Sequence, residues 1–259
     1  MEFIESCGEM AALVKEAIGE LAGTPASGDY MGMGADGTPT KRIDRVAEDV
    51  IIEYLKREAL CERMISEERG IVPIGGAEGT IFVDPVDGTH NAIKGIPFYA
   101  ISIGLVKSGE TMAGYVEDLA SGDRFSAVKG EGAYLNGSPV RISRTSLLEE
   151  STMSVYGRKF NPATVLRLGQ KIRRWRLLGA SALELCYVSC GRLDGFIDVR
   201  GTLRVTDAIA GILICEEAGG TVSDHKGRPL RFPEEVTVGK CLVATNGSIH
   251  GKVIQYLQE

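Results

Sequence analysis

The sequence lacks a long apolar run, a basic N-terminal segment and an excess of positive charge. Even the apolar stretch at 208–215 is far shorter than the roughly 18 residues that a membrane-spanning helix requires. Residues 1–5 also lack the basic start of a signal peptide. We therefore expect a soluble, uncleaved, cytoplasmic protein with no membrane partner.

Positive charge is in the minority, with 29 Lys and Arg against 35 Asp and Glu and a formal net charge of -6. A chain that binds nucleic acid or an anionic membrane through bulk electrostatics needs the opposite balance. The composition is otherwise that of a globular protein, because 44% of the residues are hydrophobic and 25% are charged. We expect no nucleic-acid partner, although a locally basic pocket for a small anion stays open.

The six cysteines form no C-x-x-C pair, so the sequence indicates neither a zinc site nor a disulfide framework. Cys186 and Cys190 would share a helix face and could hold a metal or form a redox pair, but no neighbouring residue supports that reading. We expect buried, reduced thiols. The 33 glycines exceed ordinary usage and lie between apolar runs, which indicates many tight turns in a layered α/β protein.

Apolar periodicity divides the chain into two halves, 1–145 and 146–259, which we expect to share one core as a continuous structural unit. The first half predicts helices at 3–21 and 43–59, a mobile loop at 23–39 between them, short strands at 63–66 and 80–83, and an antiparallel meander at 99–107, 111–117 and 124–128. The second half alternates strands at 151–155, 174–178, 194–199 and 241–244 with helices at 161–171, 180–190, 205–217 and 247–257. The predicted fold class is α/β, with an antiparallel sheet half joined to an alternating β/α half.

Two carboxylates three residues apart end a buried strand in the sequence Phe82-Val83-Asp84-Pro85-Val86-Asp87-Gly88-Thr89. Packed carboxylates repel each other unless a hard cation such as Mg²⁺ neutralises them. Gly88 permits close backbone approach, and the amides of Gly88 and Thr89 would begin a helix suited to a phosphate. Alternatively, Asp84 and Asp87 only cap a turn. A covalent aspartyl-phosphate mechanism is disfavoured, because haloacid dehalogenase phosphatases have their aspartates two positions apart.

Three motifs follow one another along the chain: Ile65-Ser66-Glu67-Glu68, then Asp84-Pro85-Val86-Asp87-Gly88-Thr89-His90-Asn91, then Asp207-Ala208-Ile209-Ala210-Gly211 leading into Glu217-Ala218-Gly219-Gly220. In this order they resemble the inositol monophosphatase family, which also includes archaeal-type fructose-1,6-bisphosphatases and phosphatases of adenosine bisphosphate. The resemblance covers nearly the whole chain. It implies a sugar-phosphatase-type fold, an αβαβα sandwich.

The resemblance implies a set of Mg²⁺ ligands. They are the side chains of Glu67, Asp84, Asp87 and Asp207 and the main-chain carbonyl of Val86, with two or three ions per site and Asp84 bridging two of them. From the residue pattern alone, Asp207 is an acid that opens an apolar helix and complements its dipole.

The resemblance also implies the catalytic residues Asp44, Glu67 and Thr89. Asp44 would orient the Thr89 hydroxyl, while Thr89 and Glu67 would position a metal-activated water for in-line attack on phosphorus. From the pattern alone, Asp44 is an ordinary acid near a helix start. His90 is expected at the wall of the site, since this reaction needs no histidine base.

The glycine-rich segment 31–41 has two interpretations. It is similar to the phosphate loop of NAD kinases, although Ala35 replaces a glycine there and the segment precedes a helix. It is also similar to a mobile loop of archaeal members of the resembled family, which would carry Asp36 toward a third metal and close over the substrate.

Substrate contacts are expected at Gly88, Thr89, His90, Ala180, Ser181, Asp198 and Arg200. Animal-type inositol phosphatases carry Glu near 198–201 and Trp before the last metal ligand, where this chain has Thr206. That difference favours archaeal-type members that act on two substrates. Arg200 would meet a second phosphate through a bidentate contact, or is a surface arginine at a strand end.

The predicted function is therefore that of a Mg²⁺-dependent phosphomonoesterase of carbohydrate metabolism, including gluconeogenesis. The expected substrates are fructose 1,6-bisphosphate and inositol 1-phosphate, and the resemblance suggests a homodimer. One alternative is a phosphatase of 3′-phosphoadenosine 5′-phosphate or of NADP. Another is a non-catalytic metabolite-binding regulator that kept the fold.

Overall fold

The computed structural model describes residues 2–156 and 162–258. The helices of this part of the chain are α1 (Glu2–Ile18), α2 (Arg42–Glu58), α3 (Thr89–Lys94), α4 (Pro162–Gly169), α5 (Ser181–Ser189), α6 (Val205–Glu217) and α7 (His250–Gln258). The strands are β1 (Tyr30–Met33), β2 (Pro39–Lys41), β3 (Arg63–Ser66), β4 (Gly70–Pro73), β5 (Thr80–Asp87), β6 (Ala100–Lys107), β7 (Glu110–Asp118), β8 (Arg124–Val128), β9 (Ala133–Leu135), β10 (Ser138–Pro139), β11 (Thr152–Tyr156), β12 (Arg174–Arg176), β13 (Gly195–Leu203), β14 (Thr221–Ser223) and β15 (Lys240–Thr245).

The larger sheet has eight strands in the order β10-β9-β8-β7-β6-β5-β3-β4. Its neighbouring strands are antiparallel except β3 and β5, which are parallel. Strand β5 is buried along its whole length and β6 along nearly all of it, as expected for apolar runs covered on both faces. The predicted antiparallel meander is confirmed in β6, β7 and β8.

The smaller sheet has five strands in the order β12-β11-β13-β15-β14. Strand β11 pairs in parallel with β12 and with β13, which is the pairing that alternating strands and helices predict. Strand β15, however, is antiparallel to both β13 and β14. Because the segment 224–239 that connects β14 to β15 contains no helix, these two strands form an antiparallel pair and not a further βαβ unit.

The helices complete five alternating layers. Helices α1 and α2 pack on one face of the larger sheet, and α5 and α6 pack on its other face. Helices α5 and α6 also cover the inner face of the smaller sheet, whose outer face packs against α4 and α7. The predicted αβαβα sandwich is therefore confirmed. Because α5 and α6 contact both sheets, they place residues of the second half directly over β5.

The segment 23–39 differs from its prediction as a loop. It contains a short 3₁₀ turn at Pro25–Gly28, strand β1 and the start of β2, and these two strands form an antiparallel hairpin. Gly37, at the hairpin turn, has a φ of 84°, a conformation that favours glycine. Strands this short leave too little alternation in the sequence to be recognised.

The structure tests the helix predicted at 161–171 only in part, and it does not test the predicted division of the chain. The first residue of the predicted helix 161–171 lies outside the described residues, and α4 covers 162–169 of that range. The division of the chain near residue 145 stays a prediction. Among the described helices, none has the length and apolar character to cross a membrane.

Gly114 of β7 packs directly against the middle helix layer. A Cβ atom at this position would lie 2.8 Å from the carbonyl oxygen of Ala210 in α6 and 3.1 Å from its Cα. We expect Gly114→Ala to lower the free energy of unfolding by about 1–3 kcal/mol, because the backbones of β7 and α6 would have to separate.

Urea denaturation measures this change. Gly251→Ala in α7 is the matched control, since a Cβ there would meet no atom within 4 Å apart from its chain neighbours and the backbone of its own helix. Alanine is the better helix former, so that control should leave stability unchanged or raise it by up to about 1 kcal/mol. Equal stability of the Gly114→Ala and wild-type proteins would contradict the tight contact.

Candidate active site

Three carboxylates from distant parts of the sequence meet at one end of the larger sheet. In the parallel pair β3 and β5, Ser66 lies opposite Val83, so the next residues, Glu67 and Asp84, emerge at the same end. Asp207 lies in the first turn of α6, which packs over this sheet. Each of the three side chains offers an oxygen atom within 4.8 Å of the other two.

The charge balance of this group favours a bound cation. Burial raises the pKa of Asp84 well above its ordinary value, and the negative charges of Asp87 and Asp207 raise it further. Burial likewise raises the pKa of Glu67. Carboxylate oxygens are the ligands that Mg²⁺ prefers, so the donor set of Glu67, Asp84 and Asp207 fits a divalent hard cation.

Asp207 behaves differently from its neighbours. Burial acts to raise its pKa, but the Arg204 guanidinium and hydrogen bonds to the carboxylate outweigh burial, and the pKa is lowered. The backbone N–H of Arg204 donates to Asp207 Oδ2 at 3.2 Å. Asp207 thus stays ionised while also capping the start of α6.

Asp87, the fourth predicted carboxylate ligand, is used in another way. Its Oδ1 accepts a hydrogen bond from the backbone N–H of Ser181 at 3.0 Å, and its Oδ2 accepts one from Ala182 at 2.7 Å. These amides begin α5, where a carboxylate is favoured by the helix dipole. Asp87 therefore anchors α5 to the end of β5, and its role as a metal ligand stays a prediction.

The structure brings Thr89, Asp44 and Val86 together. Thr89 Oγ1 lies 2.9 Å from Asp44 Oδ1 and 2.9 Å from the carbonyl oxygen of Val86. The hydroxyl has one proton, so it can donate to both oxygens only in turn. Burial raises the pKa of Asp44 to about 7, so near neutral pH a protonated Asp44 can donate to Thr89 while Thr89 donates to Val86.

Asp36 lies in the turn of the β1–β2 hairpin. The backbone amides of Ala35 and Asp36 donate to the carbonyl oxygens of Glu68 and Glu67 at 3.0 and 3.1 Å, which fixes the turn beside the carboxylate group. The Asp36 carboxylate forms an ion pair with Arg204 and accepts a hydrogen bond from the Thr38 backbone at 2.8 Å. Asp36 is thus near the group but is held by a cationic side chain.

Arg204 and Thr206 are site residues that the sequence interpretation did not assign. Arg204 Nη2 lies 2.8 Å from Glu67 Oε2, and Arg204 Nε lies 3.3 Å from Asp207 Oδ2. The Thr206 hydroxyl donates to Glu67 Oε1 at 3.1 Å. The spacing of three residues between Arg204 and Asp207 at a helix start is the one sequence signal that could have indicated this pair.

The predicted substrate-side residues lie around Gly88, whose φ of 89° requires a left-handed conformation. A Cβ on Gly88 would lie 3.0 Å from the Cβ of Ala180, so this residue keeps β5 and α5 in close contact. Ala180 and Ser181 are buried there, whereas His90 is exposed. Of these residues, His90 therefore has the side chain most open to solvent.

Asp198 and Arg200 contact each other. Arg200 Nη2 and Nε lie 2.5 and 3.2 Å from Asp198 Oδ2, and the guanidinium stacks over the Tyr156 ring at 4.0 Å from its centroid. Asp198 is fully buried, so its carboxylate orients Arg200 and faces no open space. A phosphate contact by Arg200 stays a prediction.

Glu184 of α5 is a buried acid that the sequence interpretation missed. Its Oε1 accepts hydrogen bonds from the Ser154 hydroxyl and, at 3.1 Å, from the Leu178 backbone N–H. Its Oε2 has no hydrogen-bond partner in the described part of the chain. Burial raises the pKa of Glu184 to about 7.

The cysteines show no redox or metal arrangement. All six are free thiols, and Cys186 is fully buried while Cys190 is partly exposed. Burial raises the pKa of both thiols, which disfavours the reactive thiolate. Four of the six cysteines are buried as expected, Cys190 and Cys241 are partly exposed, and the reduced state of the thiols stays a prediction.

Comparison with known proteins finds similarity along nearly the whole chain. The sequence profile of the inositol monophosphatase family matches residues 2–259. A fructose-1,6-bisphosphatase/inositol-1-monophosphatase of Methanothermobacter thermautotrophicus is 40% identical, with 96% of this chain and 94% of the relative covered. The crystal structure of an inositol monophosphatase-fructose 1,6-bisphosphatase superposes with a TM-score of 0.91 at 31% identity, covering 99% of this chain and 100% of that one.

A relative of another name also matches. A bifunctional NADP phosphatase/NAD kinase of Methanococcus maripaludis is 35% identical over 98% of this chain. The chain spans about half the length of that relative, since 49% of it is covered.

Glu184 gives the folded protein a specific pH dependence. Its pKa rises from an ordinary value of 4.5 in the unfolded chain to about 7 on folding, so between these values the folded state binds more protons than the unfolded state. This contribution to stability is complete below pH 4.5 and is lost as the pH rises toward 7, by on the order of 3 kcal/mol. We expect Glu184→Gln to remove this part of the pH dependence.

Urea unfolding in EDTA at several pH values between 4.5 and 8 measures the difference between the two proteins. Glu149→Gln, a change of an exposed side chain, is the control and should follow the wild-type curve. Parallel curves for Glu184→Gln and wild type would show that Glu184 does not titrate as its burial implies.

Proposed function

Because the chain belongs to the inositol monophosphatase family, we propose that it is a Mg²⁺-dependent phosphomonoesterase of fructose 1,6-bisphosphate and inositol 1-phosphate. The observation that carries the proposal is the meeting of Glu67, Asp84 and Asp207 at the end of β3 and β5. Relatives named for both activities support the choice of substrates, including those from Methanothermobacter thermautotrophicus and Thermococcus kodakarensis, each 40% identical.

The carboxylates of Glu67, Asp84 and Asp207 would hold the first cation. Asp87 and the carbonyl oxygen of Val86 are further ligands in this proposal, which includes two or three ions per site. When bound, Mg²⁺ supplies neutralisation of phosphate charge and a lowered pKa for water. Hard oxygen donors and a surplus of negative charge are the properties that such ions require.

Thr89 and Asp44 would share one proton beside the reacting phosphate. Asp44, with a pKa near 7, can hold a proton on Oδ1 or accept one from Thr89 Oγ1, which lies 2.9 Å away. The hydroxyl would thus be oriented as a donor or as an acceptor according to the state of Asp44. Burial of Asp44 keeps bulk water from competing for this contact.

The two phosphates of fructose 1,6-bisphosphate would need a second cationic partner. Arg200 suits this role because the buried Asp198 and the Tyr156 ring hold its guanidinium in a fixed plane. Inositol 1-phosphate carries a single phosphate and would not use this contact. In this proposal, Arg200 therefore contacts fructose 1,6-bisphosphate but not inositol 1-phosphate.

NADP phosphatase activity is the second candidate, and the relatives named bifunctional NADP phosphatase/NAD kinase favour it. A phosphatase of 3′-phosphoadenosine 5′-phosphate stays an alternative from the family resemblance. The non-catalytic alternative is disfavoured because all the carboxylates and Thr89 are present. The homodimer stays a prediction from the family resemblance, and the cytoplasmic location stays a prediction from the sequence.

Phosphate release with Mg²⁺ tests the proposal directly. We expect wild type to hydrolyse fructose 1,6-bisphosphate and inositol 1-phosphate, and Asp84→Asn to lose activity on both, because it removes one of the three gathered carboxylates. NADP is assayed in parallel. Release from NADP alone would replace the sugar-phosphate assignment, and no release from any of the three by Mg²⁺-loaded wild type would refute it.

Thr89 gives a sharper test of the proton arrangement. Thr89→Ala removes the hydroxyl that contacts Asp44 and Val86, and we expect kcat to fall on the order of 10²-fold with little change in KM. Thr89→Ser keeps the hydroxyl and should retain most of the activity. Equal loss in the alanine and serine variants would assign Thr89 a packing role.

A further inference from the structure

Arg204 inserts a positive charge among the carboxylates of the site. Its guanidinium forms ion pairs with Glu67 Oε2 at 2.8 Å, with Asp207 Oδ2 at 3.3 Å and with Asp36. The side chain is only 24% exposed, so these contacts are shielded from water. A guanidinium keeps its positive charge throughout the pH range in which proteins fold.

Two of the three partners of Arg204 belong to the group that fits a cation. Glu67 and Asp207 offer oxygen atoms to that group together with Asp84. Both oxygens of Glu67 already accept contacts, Oε1 from the Thr206 hydroxyl and Oε2 from Arg204. A divalent cation that takes Glu67 and Asp207 as ligands must therefore share them with a neighbouring positive charge.

The charges determine whether Arg204 favours or opposes the binding of a cation. The guanidinium offsets the repulsion among the gathered carboxylates. With a metal, the guanidinium and the ion are like charges at a partly dehydrated site and repel each other. The same contact that offsets the carboxylate repulsion thus opposes metal binding.

The third partner connects this balance to the hairpin. Asp36 lies in the β1–β2 turn, whose backbone amides bond to the carbonyl oxygens of Glu67 and Glu68. Arg204, which directly precedes α6, holds the Asp36 carboxylate through an ion pair. Loss of the guanidinium would remove the ion pair that joins this turn to α6.

We propose that Arg204 is an internal counter-cation of these carboxylates and competes with a divalent cation for them. This inference rests on the proposed function, because it takes Mg²⁺ as the ion. Arg204 is a positioning residue here, since it acts through Glu67, Asp207 and Asp36. It lowers the affinity for the ion and holds the hairpin turn against the start of α6.

Calorimetric titration of EDTA-treated, dialysed protein with MgCl₂ tests the competition. Arg204→Gln keeps a hydrogen-bond donor but removes the charge, and we expect it to bind Mg²⁺ with a Kd about tenfold lower than that of wild type. Arg204→Lys keeps the charge and should remain closer to wild type. An unchanged or higher Kd for Arg204→Gln would overturn the proposal and assign Arg204 to ligand support.

The control and the stability measurement complete the experiment. Arg63→Gln removes the same charge at the opposite end of β3, where Arg63 pairs with Glu234, and should leave the Kd within about twofold of wild type. Thermal unfolding gives a second measurement in case Arg204→Gln is only marginally stable. This variant should have a lower Tm than wild type in EDTA and a larger rise in Tm with Mg²⁺. An equal or smaller rise would contradict the competition.

The two proposals fail in different ways. Wild type that does not bind Mg²⁺ in the same titration would refute the proposed function together with its ion. Wild type that binds Mg²⁺ and releases phosphate, combined with an Arg204→Gln variant that gains no affinity, would refute only the role of Arg204.

Discussion

The structure is organised around the repulsion among acidic side chains at the end of β3 and β5. Glu67, Asp84 and Asp207 offer oxygens within 4.8 Å of one another, with Asp87 of β5 and Asp44 of α2 close enough to raise the pKa of Asp84 further. Such an arrangement is costly in a folded chain unless positive charge or hydrogen-bond donors compensate for it. Each neighbouring feature of the site supplies one of these compensations.

The compensations come from different elements. The amides at the start of α5 satisfy Asp87, the backbone and guanidinium of Arg204 satisfy Asp207, and the hydroxyl of Thr206 contacts Glu67. The contacts of Asp87 and Glu67 require the middle helices to lie close to the larger sheet, whereas the contact of Arg204 with Asp207 is local to the start of α6. The close approach of Gly114 to Ala210 and of Gly88 to Ala180 permits this packing. Fold stability and site geometry therefore depend on the same helix–sheet interface.

Much of the fold and part of the site could be predicted. Apolar periodicity located most helices and strands, and the order of three acidic motifs indicated the family and its layered fold. The pairing of Thr89 with Asp44 came from the resemblance, and the structure places the two within hydrogen-bond distance. The hairpin at 30–41 and the antiparallel direction of β15 were not predicted, because short strands and a long irregular connection carry little periodic signal.

The sequence by itself determined which acids are available and which strand and helix ends carry them, because these properties follow from local pattern and motif order. Only the tertiary structure decided which charged side chains contact one another and which contact backbone amides. Arg204 contacts Asp36 across 168 positions, Asp87 contacts the start of α5 across 94 and 95, and Arg200 turns to Asp198 within its own strand. The long-range contacts depend on how helices pack over sheets, and the local one depends on which group burial leaves in need of a partner. The long-range contacts are not encoded in the spacing of residues along the chain, whereas a spacing of two in a strand already places Asp198 and Arg200 on one face.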